Sequence, residues 1–282
     1  MINRLTIKQI TIIENFNKFA GIKNHTLISK GETNMTIDKV AIITGGGAGI
    51  GLAAAKLMAA KGIKVLITGR QKGPLEAIAA SNPNVKAFVA DASDPESAAR
   101  TVDAAIAHWG RIDIIVNNAG SGVIQPLAEV NAKSIHDIFA VNVTAPTLLA
   151  SAAIPYLEKT KGTIINISST YGSKAAAGIS LYAASKAAAE HLTRCWALEL
   201  APKGIRVNAI ASGPVETAFL RDRMGLSDDQ IQAVKEQERQ AIPLGRRGVP
   251  EDVAKWIMHL ADSESDWITG QIIQVDGGLV IS

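Results

Sequence analysis

From Met35 onward the chain repeats one pattern, a short β-branched run followed by a longer alanine-rich stretch. The runs fall at 40–44, 65–68, 85–89, 112–116, 163–167, 205–210 and 272–275. Most are apolar at consecutive positions, as expected for strands buried on both faces of a parallel sheet. Helical stretches lie between them at 50–61, 73–80, 95–108, 134–157, 181–200 and 250–260. Parallel strands need crossover connections, so this alternation predicts an α/β fold. The expected architecture is a single-domain, doubly wound parallel sheet of about seven strands with helices on both faces.

The totals narrow the function classes. Of 282 residues, 47% are hydrophobic and 20% charged, a globular balance. The chain has 29 basic and 26 acidic residues, but residues 1–34 alone hold five basic and two acidic ones. The remainder carries 24 of each sign, so the net charge gives no argument for nucleic-acid binding. Residues 1–36 are expected to be an N-terminal extension, poorly ordered, ahead of a catalytic domain at 37–282. A mitochondrial leader fits less well, because the segment has one arginine and little serine. Cys195 is the only cysteine, which rules out an internal disulfide and suits a reducing, cytoplasmic setting. The apolar stretch 41–60 holds five glycines and Lys56, so it reads as strand, turn and helix rather than a membrane span. Residues 217–240 break the rhythm, and the region of about 215–242 is expected to form a lid.

The first strand ends in Thr44-Gly45-Gly46-Gly47-Ala48-Gly49-Ile50-Gly51, with a helix following at once. Such a turn lets backbone approach a pyrophosphate, and the helix N-terminus offers unpaired N–H groups to the anion. The expected fold is therefore Rossmann-like. About twenty residues on, where an NAD-binding fold tends to place an acid, stand Gly69 and Arg70. A guanidinium suits a 2′-phosphate, which favours NADP, with NAD still possible.

Tyr182 and Lys186 are four residues apart in a helical stretch and share a face. A free tyrosine has a pKa of about 10, and a nearby ammonium would lower it into a usable range. Alone, the two would be an ordinary helix pair. Thirteen residues earlier, at a strand end, Ser169 could polarise a substrate oxygen. Asn117-Asn118-Ala119-Gly120 follows the fourth strand, and Asn142 lies in the next helix.

In order and spacing, residues 44–51 and 117–120 with Asn142, Ser169, Tyr182 and Lys186 resemble the motif set of the short-chain dehydrogenase/reductases. The similarity spans 38 to about 280. It implies hydride transfer between NADP(H) and an alcohol or carbonyl compound. Tyr182 would then be the proton donor or acceptor, with Lys186 lowering its pKa and holding the nicotinamide ribose. Ser169 would orient the substrate oxygen, and Asn142 would hold a water. The implied cofactor contacts are Thr44, Gly45, Gly49, Ile50, Gly51, Arg70, Asp91 (toward adenine), Asn118 and Gly120, with Tyr182 and Lys186. Gly213, Val215 and Thr217 would meet the nicotinamide carboxamide. Ser212 stands where the family usually has proline, so this loop is expected to be more mobile. The C-terminal stretches 269–271 and 275–278 resemble the family's subunit-packing end, implying a homotetramer.

Other readings are weaker. Five scattered histidines show no metal-ligand spacing, and no metal is expected. Ser168 and Ser169 lack a nucleophile elbow, which disfavours a hydrolase. The competing class is a non-catalytic, dinucleotide-binding redox sensor of the same fold. Candidate substrates are a 3-oxoacyl thioester, a polyol or a small ketone, and no membrane or nucleic-acid partner is expected.

Overall fold

A computed structural model of the chain describes residues 39–282. The expectation for 1–36 lies outside the described residues. Seven strands form one parallel sheet: β1 (Val40–Ile43), β2 (Lys64–Gly69), β3 (Val85–Val89), β4 (Ile114–Asn117), β5 (Thr163–Ser169), β6 (Arg206–Ser212) and β7 (Ile272–Val275). Their order is β3-β2-β1-β4-β5-β6-β7. After three strands in one direction, the chain crosses back and builds outward from the other side of β1. The connections on either side of β1 therefore diverge and open a crevice above the strands' C-terminal ends.

The helices are α1 (Gly49–Ala60), α2 (Lys72–Ser81), α3 (Ser97–Trp109), α4 (Ala132–Phe139), α5 (Ala145–Thr160), α6 (Ser180–Leu200), α7 (Phe219–Asp222), α8 (Asp228–Ala241) and α9 (Pro250–Ala261). Alternate residues of each strand feed opposite cores, because successive side chains leave a strand on opposite faces. Ala41 and Ile43 join Met58 of α1, Leu75 of α2 and Ile257 of α9 on one face. Ile42 joins Val102 of α3, Leu157 of α5 and Leu200 of α6 on the other. This explains the unbroken apolar runs in the sequence.

Two expected elements are corrected. The helix read at 134–157 is two helices, α4 and α5, joined by a π turn at Ala140–Thr144 that carries the buried Asn142. Pro95 does not open α3, which starts at Ser97. The 132–160 stretch is long and apolar enough to cross a membrane by length and composition alone. Here Leu149, Ala150, Ala153 and Leu157 are buried in the core that covers one face of the sheet.

Polar side chains inside the sheet bond across its elements, with the buried Asn117 Oδ1 left without a partner. Asn117 on β4 donates to Asn166 Oδ1 on β5 at 2.8 Å, and Asn166 donates to Thr193 Oγ1 on α6 at 2.8 Å. At the opposite end of the sheet, buried Asp113 accepts from the Val40 N–H at 2.9 Å and takes both arms of Arg111 at 2.8 and 3.0 Å. Asp113→Ala removes the acceptor for a buried amide at the start of β1. The expected cost is about 2 kcal/mol, from leaving that N–H unsatisfied. It should appear as a lower urea midpoint with unchanged slope, and an unchanged midpoint would contradict this role.

Candidate active site

The crevice holds a cavity of about 350 Å³ that runs over the C-terminal ends of the strands. At one end stand Arg70 and Asp91, which follow β2 and β3. The middle is walled by Gly45, Gly49 and Ile50 from the turn after β1, with Asn118 and Gly120 after β4. The other end holds Ser169, Tyr182 and Lys186, closed by Phe219 and Met224 from the segment after β6. Gly213, Val215 and Thr217 also face the cavity. Most of the residues singled out from sequence thus meet in one place.

Thr44, Gly51 and Asn142 do not line this cavity, and each supports it from behind. The Thr44 hydroxyl accepts from the N–H groups of Asn118 and Ala119, both at 3.0 Å. Asn118 Nδ2 donates back to the Thr44 carbonyl at 2.8 Å. A Cβ on Gly51 would stand 2.5 Å from both the Gly45 carbonyl oxygen and Asn118 Nδ2, so only glycine lets α1 start this close to the turn. Asn142 is fully committed. Its Oδ1 accepts from the Ser121 N–H at 2.8 Å, and its Nδ2 donates to the Ser121 carbonyl and to Ser185 Oγ, both at 2.9 Å. Its amide fixes the loop after β4 against α6.

The turn after β1 has the chemistry of an anion site. The helix that follows is capped by Ala48, which offers no side-chain acceptor, and its first turn carries no acid. Its N-terminal N–H groups therefore face the cavity with no side chain competing for them. Gly49 has φ +53°, and a Cβ there would lie 3.0 Å from the Thr217 methyl. This backbone surface suits the pyrophosphate of a dinucleotide.

At the other end, α6 presents Tyr182 and Lys186 on one face, with Lys186 Nζ 5.8 Å from the phenol ring centre. Lys186 Nζ donates to the Ile167 carbonyl at 2.8 Å. Burial pushes its pKa down to about 8, against an opposing pull from Glu190 one turn on. Tyr182 behaves otherwise than the sequence suggested. Burial raises its pKa, and the opposing influence is a hydrogen bond with Ser169 rather than the Lys186 charge. The reason is geometric, since the ammonium is turned to a backbone carbonyl and the phenol is enclosed by Ile138, Ile179 and Phe219.

Asp91 Oδ1 accepts from the Ser93 N–H at 2.9 Å and from its hydroxyl at 2.8 Å. Those bonds hold its pKa down despite partial desolvation, with a smaller contribution from Arg70. The loop with Ser212 is held by Gly248 N–H to the Pro214 carbonyl at 2.9 Å and Glu216 N–H to the Gly248 carbonyl at 2.8 Å.

Sequence reading missed a charge cluster around the buried Arg247 on the cavity wall. Arg247 donates to the Val215 carbonyl at 2.8 Å and pairs with Glu216 at 3.0 Å and with Glu238. Glu216 is also paired with Lys235 of α8. Arg246 and Arg247 are adjacent in the sequence, and no local signal marks one of them for burial.

The family model for enoyl-(acyl carrier protein) reductase matches residues 45–280. The chain belongs to the short-chain dehydrogenase/reductases. It is 40% identical over 248 residues to an uncharacterized oxidoreductase of Mycobacterium tuberculosis, covering 86% of this chain and 92% of that one. It is 36% identical to the 3-oxoacyl-[acyl-carrier-protein] reductase FabG of Thermotoga maritima, covering 86% and 98%. A crystal structure of a 3-ketoacyl-(acyl-carrier-protein) reductase from Brucella melitensis, complexed with NADH, superposes with a TM-score of 0.80 at 32% identity. That match covers 86% of this chain and 98% of the other. As a member of the family, the chain is an NAD(P)-dependent oxidoreductase using a nicotinamide dinucleotide.

The low pKa of Lys186 has a consequence for stability. The folded value of about 8 lies below the ordinary 10.5, so between those limits the unfolded chain binds more protons. The contribution of this group therefore becomes more favourable as pH rises from about 8 to 10.5. Carbon-13 NMR of labelled lysines, with Lys186→Met for assignment, should show one lysine titrating near pH 8. A resonance for Lys186 titrating above pH 10 would contradict its burial.

Proposed function

We propose that the chain interconverts an alcohol and a carbonyl compound with NADP(H), using Ser169, Tyr182 and Lys186. The observation that carries this reading is that these three side chains share one cavity with an uncapped helix N-terminus and Arg70. Bound NADP(H) would supply or accept the hydride at its nicotinamide. Tyr182 would give a proton to the substrate oxygen during reduction and take it back during oxidation. Ser169, the one group found pulling the phenol's pKa down, would hold the same oxygen. A lysine with a pKa of about 8 is mostly charged at neutral pH and favours the phenolate when turned toward it. Gly45, Gly49 and Ile50 would carry the pyrophosphate, with Thr217 and Val215 at the carboxamide and Asp91 near adenine.

For the substrate we favour a 3-oxoacyl thioester over a polyol or small ketone. The support is the likeness to two acyl-carrier-protein reductases and the apolar wall of Val123, Ile179 and Phe219 around Tyr182. The segment about 215–242 is read as the lid of this site. We also infer a homotetramer, supported by the bare apolar groups Leu198, Leu244, Trp267 and Ile281, and a cytoplasmic location.

Tyr182→Phe decides between enzyme and redox sensor. Steady-state reduction of a 3-oxoacyl thioester should fall by about 10²- to 10⁴-fold, the usual worth of a general acid, while fluorescence titration shows unchanged cofactor affinity. Equal turnover in wild type and variant would end the catalytic assignment, and absence of turnover in both would favour the sensor. A wild-type preference for polyols or small ketones would replace only the substrate.

A further inference from the structure

Two guanidinium groups reach the same cavity from distant parts of the chain. Arg70 follows the last residue of β2, and Arg223 follows α7, in the excursion after β6. Among the described residues, neither has a carboxylate within ion-pair distance. They are close enough to repel. Partial desolvation lowers the pKa of Arg223, and the charge of Arg70 lowers it further. Asp91 attracts both, and its Oδ1 accepts from the Ser93 N–H and hydroxyl. The three groups together carry one net positive charge, with two planar donor forks unclaimed by any acid.

The segment that brings Arg223 here is seated along the groove. Thr217 meets the turn at Gly49, while Phe219 and Met224 close to about 3.1 and 3.0 Å of the position a Cβ on Gly122 would take. The Arg223 N–H continues the α7 turn to the Phe219 carbonyl at 2.9 Å. The segment thus runs along the cavity wall, and Arg223 lines the same cavity as Arg70.

We propose that Arg223 is the second arm of a two-arginine clamp on the 2′-phosphate of an NADP-type dinucleotide, Arg70 being the first. The inference rests on the proposed role of Arg70 in cofactor choice. A phosphate monoester is close to doubly negative at neutral pH and accepts paired bonds from planar guanidinium forks. Placed between the two arginines, it turns their repulsion into attraction. Cofactor choice is then set jointly by the end of β2 and by the excursion after β6, so a 2′-phosphate also draws that excursion onto the groove.

The test is fluorescence titration of the full chain with NADPH and NADH, for wild type, Arg70→Ala, Arg223→Ala and Arg223→Lys. Arg223 lies on the exposed rim, so its variants should keep the wild-type circular dichroism spectrum and unfolding midpoint. Arg223→Ala should weaken NADPH by about tenfold or more and NADH by less than about twofold, as expected when one charge-assisted hydrogen bond to the phosphate is removed. Arg223→Lys should recover part of the loss, because the charge returns without the fork. The NADPH preference of the wild type should also shrink with added salt. If Arg70→Ala abolishes the preference and Arg223→Ala leaves it intact, the clamp is wrong while the role of Arg70 survives. Equal weakening of both cofactors by Arg223→Ala would place it at the pyrophosphate and also overturn the clamp. A wild type without NADPH preference would overturn both.

Discussion

The hydrogen-bonded knot between Thr44 and Asn118 holds the site open in the right place. It joins the ends of β1 and β4, the two strands between which the sheet reverses its direction of growth. The Thr44 hydroxyl takes two N–H donors and the Asn118 amide returns two bonds, to the carbonyls of Thr44 and Gly45. Backbone groups that diverging loops would leave unpaired are thereby satisfied. With that edge fixed, α1 begins at a defined height, and its bare N-terminus faces the cavity rather than a capping side chain.

A second constraint acts from the far wall. Arg247 is almost fully buried, and it links the Val215 carbonyl to Glu216 and Glu238. Burial disfavours its charge, and Glu216 is the main opposing influence. Buried ion clusters of this kind contribute little net stability because desolvation offsets attraction, but they fix geometry. Here the geometry fixed is that of the loop after β6 against α8. The loop holds Val215 and Thr217 toward the cavity although Ser212 replaces the stiffer proline.

The pKa values of Lys186 and Tyr182 follow from the same enclosure. Burial depresses the lysine and raises the phenol, so each is moved toward its neutral form. Sequence spacing showed that the two share a helix face. It could not show that Lys186 would turn to the Ile167 carbonyl, or that Ile138 and Phe219 would pack around the phenol. Likewise Asn142 was recognisable as a site residue, but its three bonds to Ser121 and Ser185 depend on a π turn that no local periodicity announced.

What the sequence determined by itself was whatever is encoded within a few residues. Strands came from apolar runs, the anion-binding turn from clustered glycines, and the Tyr182–Lys186 pair from four-residue spacing. These follow from local geometry, which repeats at the period of a strand or a helix whatever surrounds it. Tertiary structure decided the partnerships between residues far apart in the chain. Arg247 became a buried wall rather than a surface charge, and Arg223 came to line the same cavity as Arg70. Neither could be read locally, because the fate of a charge depends on which solvent or partner surrounds it, and only the folded chain supplies that.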